Sequence, residues 1–176
     1  MKKSIISFLL CLCFLFLTAC NADKSNSYIP YGQIPKDYSL QDAKSDDLVV
    51  HEHFIVTSGQ SVWEEFINNS YNKIPGMVRL AYYYRTETSS NINIQDLSYD
   101  GEKYTLFSIE EGKEYIYSFQ YLKRFECTEP FYSDKIWFAL VNNNEATGEQ
   151  ILSGSLSSRI EDKIDHKIVY SEYIGN

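Results

Sequence analysis

Between residues 77 and 125 four apolar and aromatic runs are separated by short polar turns, and that spacing commits the middle of the chain to an antiparallel meander. Asp96-Leu97-Ser98-Tyr99 and Glu102-Lys103-Tyr104-Thr105-Leu106-Phe107 flank Asp100-Gly101. A two-residue Asp-Gly loop readily takes the positive φ angles of a tight hairpin. If Asp100-Gly101 and Glu111-Gly112 are both two-residue turns, Leu97 faces Tyr104, Leu106 faces Tyr117, and Tyr104 faces Phe119, all on one side with Tyr121. Lys103, Thr105, Ser118 and Gln120 then lie on the other side, giving an aromatic inner face and a more polar outer one. In the strand that opens the meander, alternation puts Val78, Leu80, Tyr82 and Tyr84 inward and Arg79 and Arg85 outward.

The flanking segments supply helices and further strands. Ser39 is an N-cap for a short helix through Lys44, and residues 48–56 read as one strand. A helix follows with Val62, Trp63, Phe66, Ile67 and Tyr71 on one face, and Ser61 with Glu64 forms a capping box if it starts there. Pro75-Gly76 ends that unit, and residues 86–91 form a polar loop. Residues 135–141 are apolar enough for a central strand. Thr147 and Gln150 form a capping box for a short helix to Gly154, and residues 164–174 close the chain as a strand, apolar at Ile168, Tyr170 and Tyr173. The expected fold is α+β: a single domain over residues 36–176, with an antiparallel meander sheet of about six to seven strands packed against two to three short helices.

Residues 1–19 stand apart from this domain. Lys2-Lys3 precedes a nearly unbroken apolar run, residues 5–17, whose 13 positions suit a signal peptide and fall short of a spanning helix. Leu17-Thr18-Ala19-Cys20 resembles the lipobox of bacterial lipoproteins. The resemblance implies a diacylglyceryl thioether on Cys20, cleavage before it, and a chain anchored in the cell membrane on its extracytoplasmic face. Residues 20–35 are then the lipidated cysteine, a polar tether and an extended, proline-containing segment. Loss of Lys2 and Lys3 takes the formal charge from −8 to −10, which argues against nucleic acid and against adhesion to anionic lipid, so membrane contact falls to the two acyl chains. Cys11 and Cys13 leave with the signal and Cys20 is lipidated, so Cys127 has no intramolecular partner.

Asp37-Tyr38-Ser39-Leu40-Gln41-Asp42-Ala43-Lys44, Val49-Val50, the helix with Trp63 and Phe66, Val78-Arg79-Leu80 and Asp96-Leu97-Ser98-Tyr99-Asp100-Gly101 together resemble a family of exported lipoproteins of Gram-positive bacteria, the domain-of-unknown-function 4362 family. The resemblance spans most of residues 20–176 and implies export and a fold, with no activity attached.

His51-Glu52-His53 would place two imidazoles about 6 to 7 Å apart on one side of a strand, with His166 the only other histidine to complete a metal site. No His-Glu-x-x-His or Cys-x-x-Cys spacing supports one, and the carboxylates lack the order of a calcium loop. Serine-hydrolase and phosphate-loop motifs are missing as well. Tyrosine, present 15 times, serves both sheet packing and binding faces; Tyr28, Tyr31, Tyr38, Tyr83 and Tyr132 are the candidates for contact with a partner. The expectation is a monomeric, cofactor-free envelope module that binds a protein or an envelope component. The alternative is an envelope hydrolase or metal-dependent enzyme using His51, His53 or His166.

Overall fold

The computed structural model describes residues 28–35, 37–85, 90–110, 112–127, 135–156 and 164–174. Cys20, the signal and tether, Tyr132 and most of the loop expected at 86–91 lie outside them, as do the side chains of Arg85 and Cys127. The fold is a single α+β domain with nine strands and three short helices in these residues, and the strands form two sheets where one meander was expected. The first has six strands in the order β2 (Ile55–Ser58), β1 (Val49–Glu52), β3 (Gly76–Arg85), β4 (Ser90–Tyr99), β5 (Tyr104–Glu110) and β6 (Lys113–Phe119). It is mixed, because β1 runs parallel to β3. The second is β7 (Tyr121–Cys127), β8 (Lys135–Val141) and β9 (His166–Tyr173), with β8 central.

The meander changes sheet at Gln120, whose backbone N–H donates to Asn142 Oδ1 at 3.1 Å. Tyr121 therefore packs with Ala139, Val141 and Ile151 and does not continue the Tyr104 face. On the near side of that break the β5–β6 register is the expected one: Leu106 pairs with Tyr117, Tyr104 with Phe119 and Glu110 with Lys113, with Gly112 at φ +77°. The Asp100 turn is wider than expected. Tyr99 pairs with Tyr104 and Leu97 with Leu106, because Asp100 Oδ1 accepts from the backbone N–H of Glu102 and of Lys103, both at 2.9 Å, and so organises a four-residue loop. Those donors, Lys103 first, hold the Asp100 carboxyl below its usual range. The slip is two residues, an even number, so Leu97, Tyr99, Tyr104 and Leu106 still share the inner face. Gly101 sits at φ +103° with room around it, so strain there comes from the backbone. Gly101→Val should lower stability by about 1 to 3 kcal/mol, read as a fall in melting temperature; an unchanged midpoint would show that the turn tolerates a β-branched residue.

Residues 48–56 are not one strand. His53 and Phe54 both take positive φ, +50° and +70°, and make a two-residue turn between β1 and β2 although Phe54 is not a residue that favours it. The helix α1 (Leu40–Ser45) has its capping box in Ser39 and Asp42. In α2 (Gln60–Tyr71) the expected Ser61–Glu64 box does not form: the N-cap is Gly59 at φ +79°, and a Cβ there would lie 2.3 Å from the Leu48 carbonyl oxygen. Close approach of two backbones sets where α2 begins. α2 buries Trp63 and Phe66, with Val62 and Ile67 against the same core, while Tyr71 is exposed, contrary to expectation. In α3 (Gly148–Leu156) the Thr147–Gln150 box is present, at 3.0 and 3.2 Å.

Three cores stack through the molecule. The largest lies between one face of the six-stranded sheet, α2 and the inner face of the three-stranded sheet, and includes Val49, Trp63, Leu80, Leu106, Phe138 and Tyr170. α1 and the N-terminal segment cover the other face of the large sheet through Ala43, Leu48, Val50 and Ala81. Ala146 and α3's Ile151 back the small sheet. Both faces of β1 and β3 are thus buried, which is why Val49 and Val50, or Leu80 and Ala81, can be adjacent and fully enclosed. In β9 an irregularity opposite Phe138–Ala139 pairs Phe138 with Tyr170 and Ala139 with Ile168. Val169 and Tyr170 are both buried in consequence, and Ile168, expected inward, is exposed.

Candidate functional site

Arg79, expected outward, is 4% exposed, because the N-terminal segment folds back over it. Its guanidinium forms a two-pronged pair with Asp96 across β3 and β4, Nε to Oδ1 at 2.6 Å and Nη2 to Oδ2 at 2.8 Å. Nη1 donates to the Ile29 carbonyl at 2.6 Å, and the rings of Tyr28 and Tyr31 lie over the cation at 5.1 and 5.7 Å. Tyr31, in a 3₁₀ turn over Tyr31–Gln33, also donates its hydroxyl to the Ile94 carbonyl and meets Phe107 edge-on at 5.1 Å. Tyr38 donates to Asp46 Oδ2 at 2.7 Å; burial first, and that carboxylate second, raise its pKa. The result is a clasp that closes residues 28–38 onto the sheet. Behind it lies a cavity of about 260 Å³ lined by Tyr28, Tyr38, Asp46, Asp47, Leu48 and Arg79. Another, of about 460 Å³, opens between Tyr31, Tyr38, Asn93 and Glu110.

The opposite side of the large sheet carries an aromatic seam. His51, 2% exposed, stacks on Tyr82 at 4.5 Å and meets Tyr170 of the small sheet edge-on at 5.8 Å. Tyr170 stacks on Trp63 at 4.5 Å, and Tyr82 donates its hydroxyl to the Val169 carbonyl at 2.8 Å. Among the described residues neither ring nitrogen of His51 has a hydrogen-bond partner of good geometry, and the Trp63 indole N–H has none either. Burial pushes the His51 pKa down to about 4, an effect the Val49 backbone offsets only in part. Beside the seam a groove of about 300 Å³ runs between α2 and the small sheet, with Glu64 and Asn68 on one wall and Arg124 and Glu172 on the other. Tyr170 donates to Glu172 Oε2 at 2.8 Å; burial, then Glu172, then the charge of Glu64 hold its hydroxyl protonated. The groove therefore offers an apolar floor between polar side chains.

The three histidines do not converge. His51 is in the core, His53 sits on the exposed β1–β2 turn, and His166 Nδ1 is 2.7 Å from the Ile164 carbonyl oxygen. The strand spacing that would have put His51 and His53 on one side is broken by the turn at His53. Among the described residues no cluster of three or more His, Cys, Asp or Glu side chains could hold a metal ion. Of the tyrosines nominated for a partner, Tyr28, Tyr31 and Tyr38 belong to the clasp and Tyr83 is partly buried. Sequence alternation missed Arg79 and the groove, since no local pattern shows what folds over a strand from a distance. No family model, no curated protein and no solved structure matches this chain.

Proposed function

We propose that this chain is a bacterial cell-envelope lipoprotein, held to the extracytoplasmic face of the membrane through Cys20, whose domain works as a binding module for a protein or envelope component. The observation that carries the reading is Leu17-Thr18-Ala19-Cys20, placed directly after Lys2-Lys3 and a 13-residue apolar run. The clasp adds support. It fixes Tyr28 over Arg79 on one face of the large sheet, while the groove between α2 and the small sheet lies on the other. The described residues thus begin on the face opposite the groove, which leaves the groove open to a partner. The dispersal of His51, His53 and His166 favours binding over the hydrolytic alternative.

Cys20→Ser should abolish incorporation of labelled fatty acid and leave unprocessed precursor in cells expressing the chain. Continued labelling of that variant would remove the lipoprotein reading.

A further inference from the structure

We propose that β6 is a self-pairing edge at which two copies of this chain join as an antiparallel, two-fold dimer. β6 is the last strand of the six-stranded sheet; among the described residues nothing pairs with its outer side. Such an edge presents a row of free N–H and C=O groups, which proteins ordinarily blunt with a lysine, a proline or a bulge. From Tyr115 to Phe119 β6 has none of these, and Ile116 is 68% exposed.

The register decides which groups are free. Glu110 and Lys113 close the β5–β6 turn and bond to each other, so alternate residues Lys113, Tyr115, Tyr117 and Phe119 bond inward to β5. Glu114, Ile116 and Ser118 then turn their backbone groups to the open side. A two-fold axis through Ile116 brings these three into register with themselves: Ile116 meets Ile116, and each Glu114 meets the other copy's Ser118. About six inter-strand hydrogen bonds form, two for each of three pairs. An axis through Tyr115 or Tyr117 would pair Glu114 with Ile116, or Ile116 with Ser118, about four bonds in place of about six, so the alignment centred on Ile116 uses the most free groups of Glu114–Ser118.

The side chains agree with it. Tyr115 and Tyr117 already stack within one strand, with ring planes 5° apart, and the dimer sets Tyr115 of each copy against Tyr117 of the other. The Lys167 ammonium lies 4.3 Å over the Tyr117 ring. Ile116 pairs with Phe107 of β5 on the opposite face, and the dimer extends that apolar strip across the axis. No like charges face one another, since Glu114 meets Ser118 and Lys113 meets Phe119. An isologous contact of this kind closes on itself and leaves no open edge to propagate. The dimer departs from the monomer expected from the inward apolar pattern, which describes faces and not edges.

Ile116→Cys and Ser118→Cys in the full chain distinguish this dimer from chance collision. Both side chains are exposed. In the proposed register the two copies of residue 116 have Cα atoms about 5.5 Å apart, inside the disulfide window of about 4.4 to 6.8 Å, whereas the two copies of residue 118 are about 13 Å apart or more. Under mild oxidation Ile116→Cys should give at least tenfold more disulfide dimer than Ser118→Cys, with the parent chain and its native cysteines as baseline. Equal crosslinking, or none above that baseline, overturns the proposal. In sedimentation of the purified full chain, the parent should be a dimer and Ile116→Lys a monomer. Two monomers, or two dimers, overturn it equally, as would a monomeric parent whose edge takes up a foreign strand.

Discussion

Arg79→Leu should lower the stability of the domain by about 3 to 5 kcal/mol, measured by denaturant or thermal unfolding. The loss is that of an uncompensated charge: Asp96, with a side chain 16% exposed, keeps its carboxylate and loses both guanidinium hydrogen bonds. A second change separates this electrostatic effect from the clasp. Arg79→Leu combined with Asp96→Leu replaces the pair with apolar groups and should recover most of the stability, since a buried ion pair is often no better than a well-packed apolar one. The double variant still lacks the donor to the Ile29 carbonyl and the cation beneath Tyr28 and Tyr31. Residues 28–35 should therefore be cut faster by protease in both variants, even where the melting temperature has returned. A double variant as unstable as the single one would place the stabilisation in the clasp and not in the Arg79–Asp96 charges.

The same residue shows where reading along the chain ends. Alternation correctly assigned Val78 and Leu80 to the core, because a period of two says which side chains share a face. It could not say that the opposite face would be covered too, since the cover comes from Tyr28 and Tyr31, some fifty residues away along the chain. Parity also protected the hairpin. The Asp100 loop was read two residues too short, yet Leu97, Tyr99, Tyr104 and Leu106 kept their side, because only an odd slip exchanges faces. In β9 a single irregularity makes such an odd change, burying Val169 next to Tyr170 and exposing Ile168. The turn at His53-Phe54 gave no local signal at all. Phe54 does not favour positive φ, so the pairing of β1 with both β2 and β3 imposes a conformation that this residue would not choose. With that turn the spacing of His51 and His53, the most pointed metal signal in the sequence, lost its meaning.

Stability should fall as pH is lowered from about 6.5 to about 4, and His51 is the cause. The folded state holds its imidazole neutral with a pKa of about 4, whereas the unfolded chain takes up a proton near 6.5. Protons bind more strongly to the unfolded state across that interval, so the contribution is complete above pH 6.5 and is lost progressively as pH falls towards 4. The separation of the two values corresponds to about 3 kcal/mol. Asp42, Glu52 and Asp100, whose hydrogen bonds hold their carboxyls below the ordinary range, lose their contributions at lower pH, as they protonate. The two windows can thus be told apart. His51→Phe keeps a planar ring against Tyr82 and Tyr170 and removes two nitrogens that have no well-aligned partner among the described residues, so at pH 7.5 it should be as stable as the parent or more so. Its stability should stay level between pH 6.5 and about 5 and decline below, where those carboxyls begin to protonate in the unfolded chain. Because His51 touches Tyr82 of the large sheet and Tyr170 of the small one, the parent's loss should appear first where the sheets meet, as faster amide exchange in β9 at pH 5 than at pH 7 after correction for intrinsic rates. A slope between pH 6.5 and 4 that is the same in His51→Phe and in the parent would assign the pH dependence to other groups and leave His51 a packing residue.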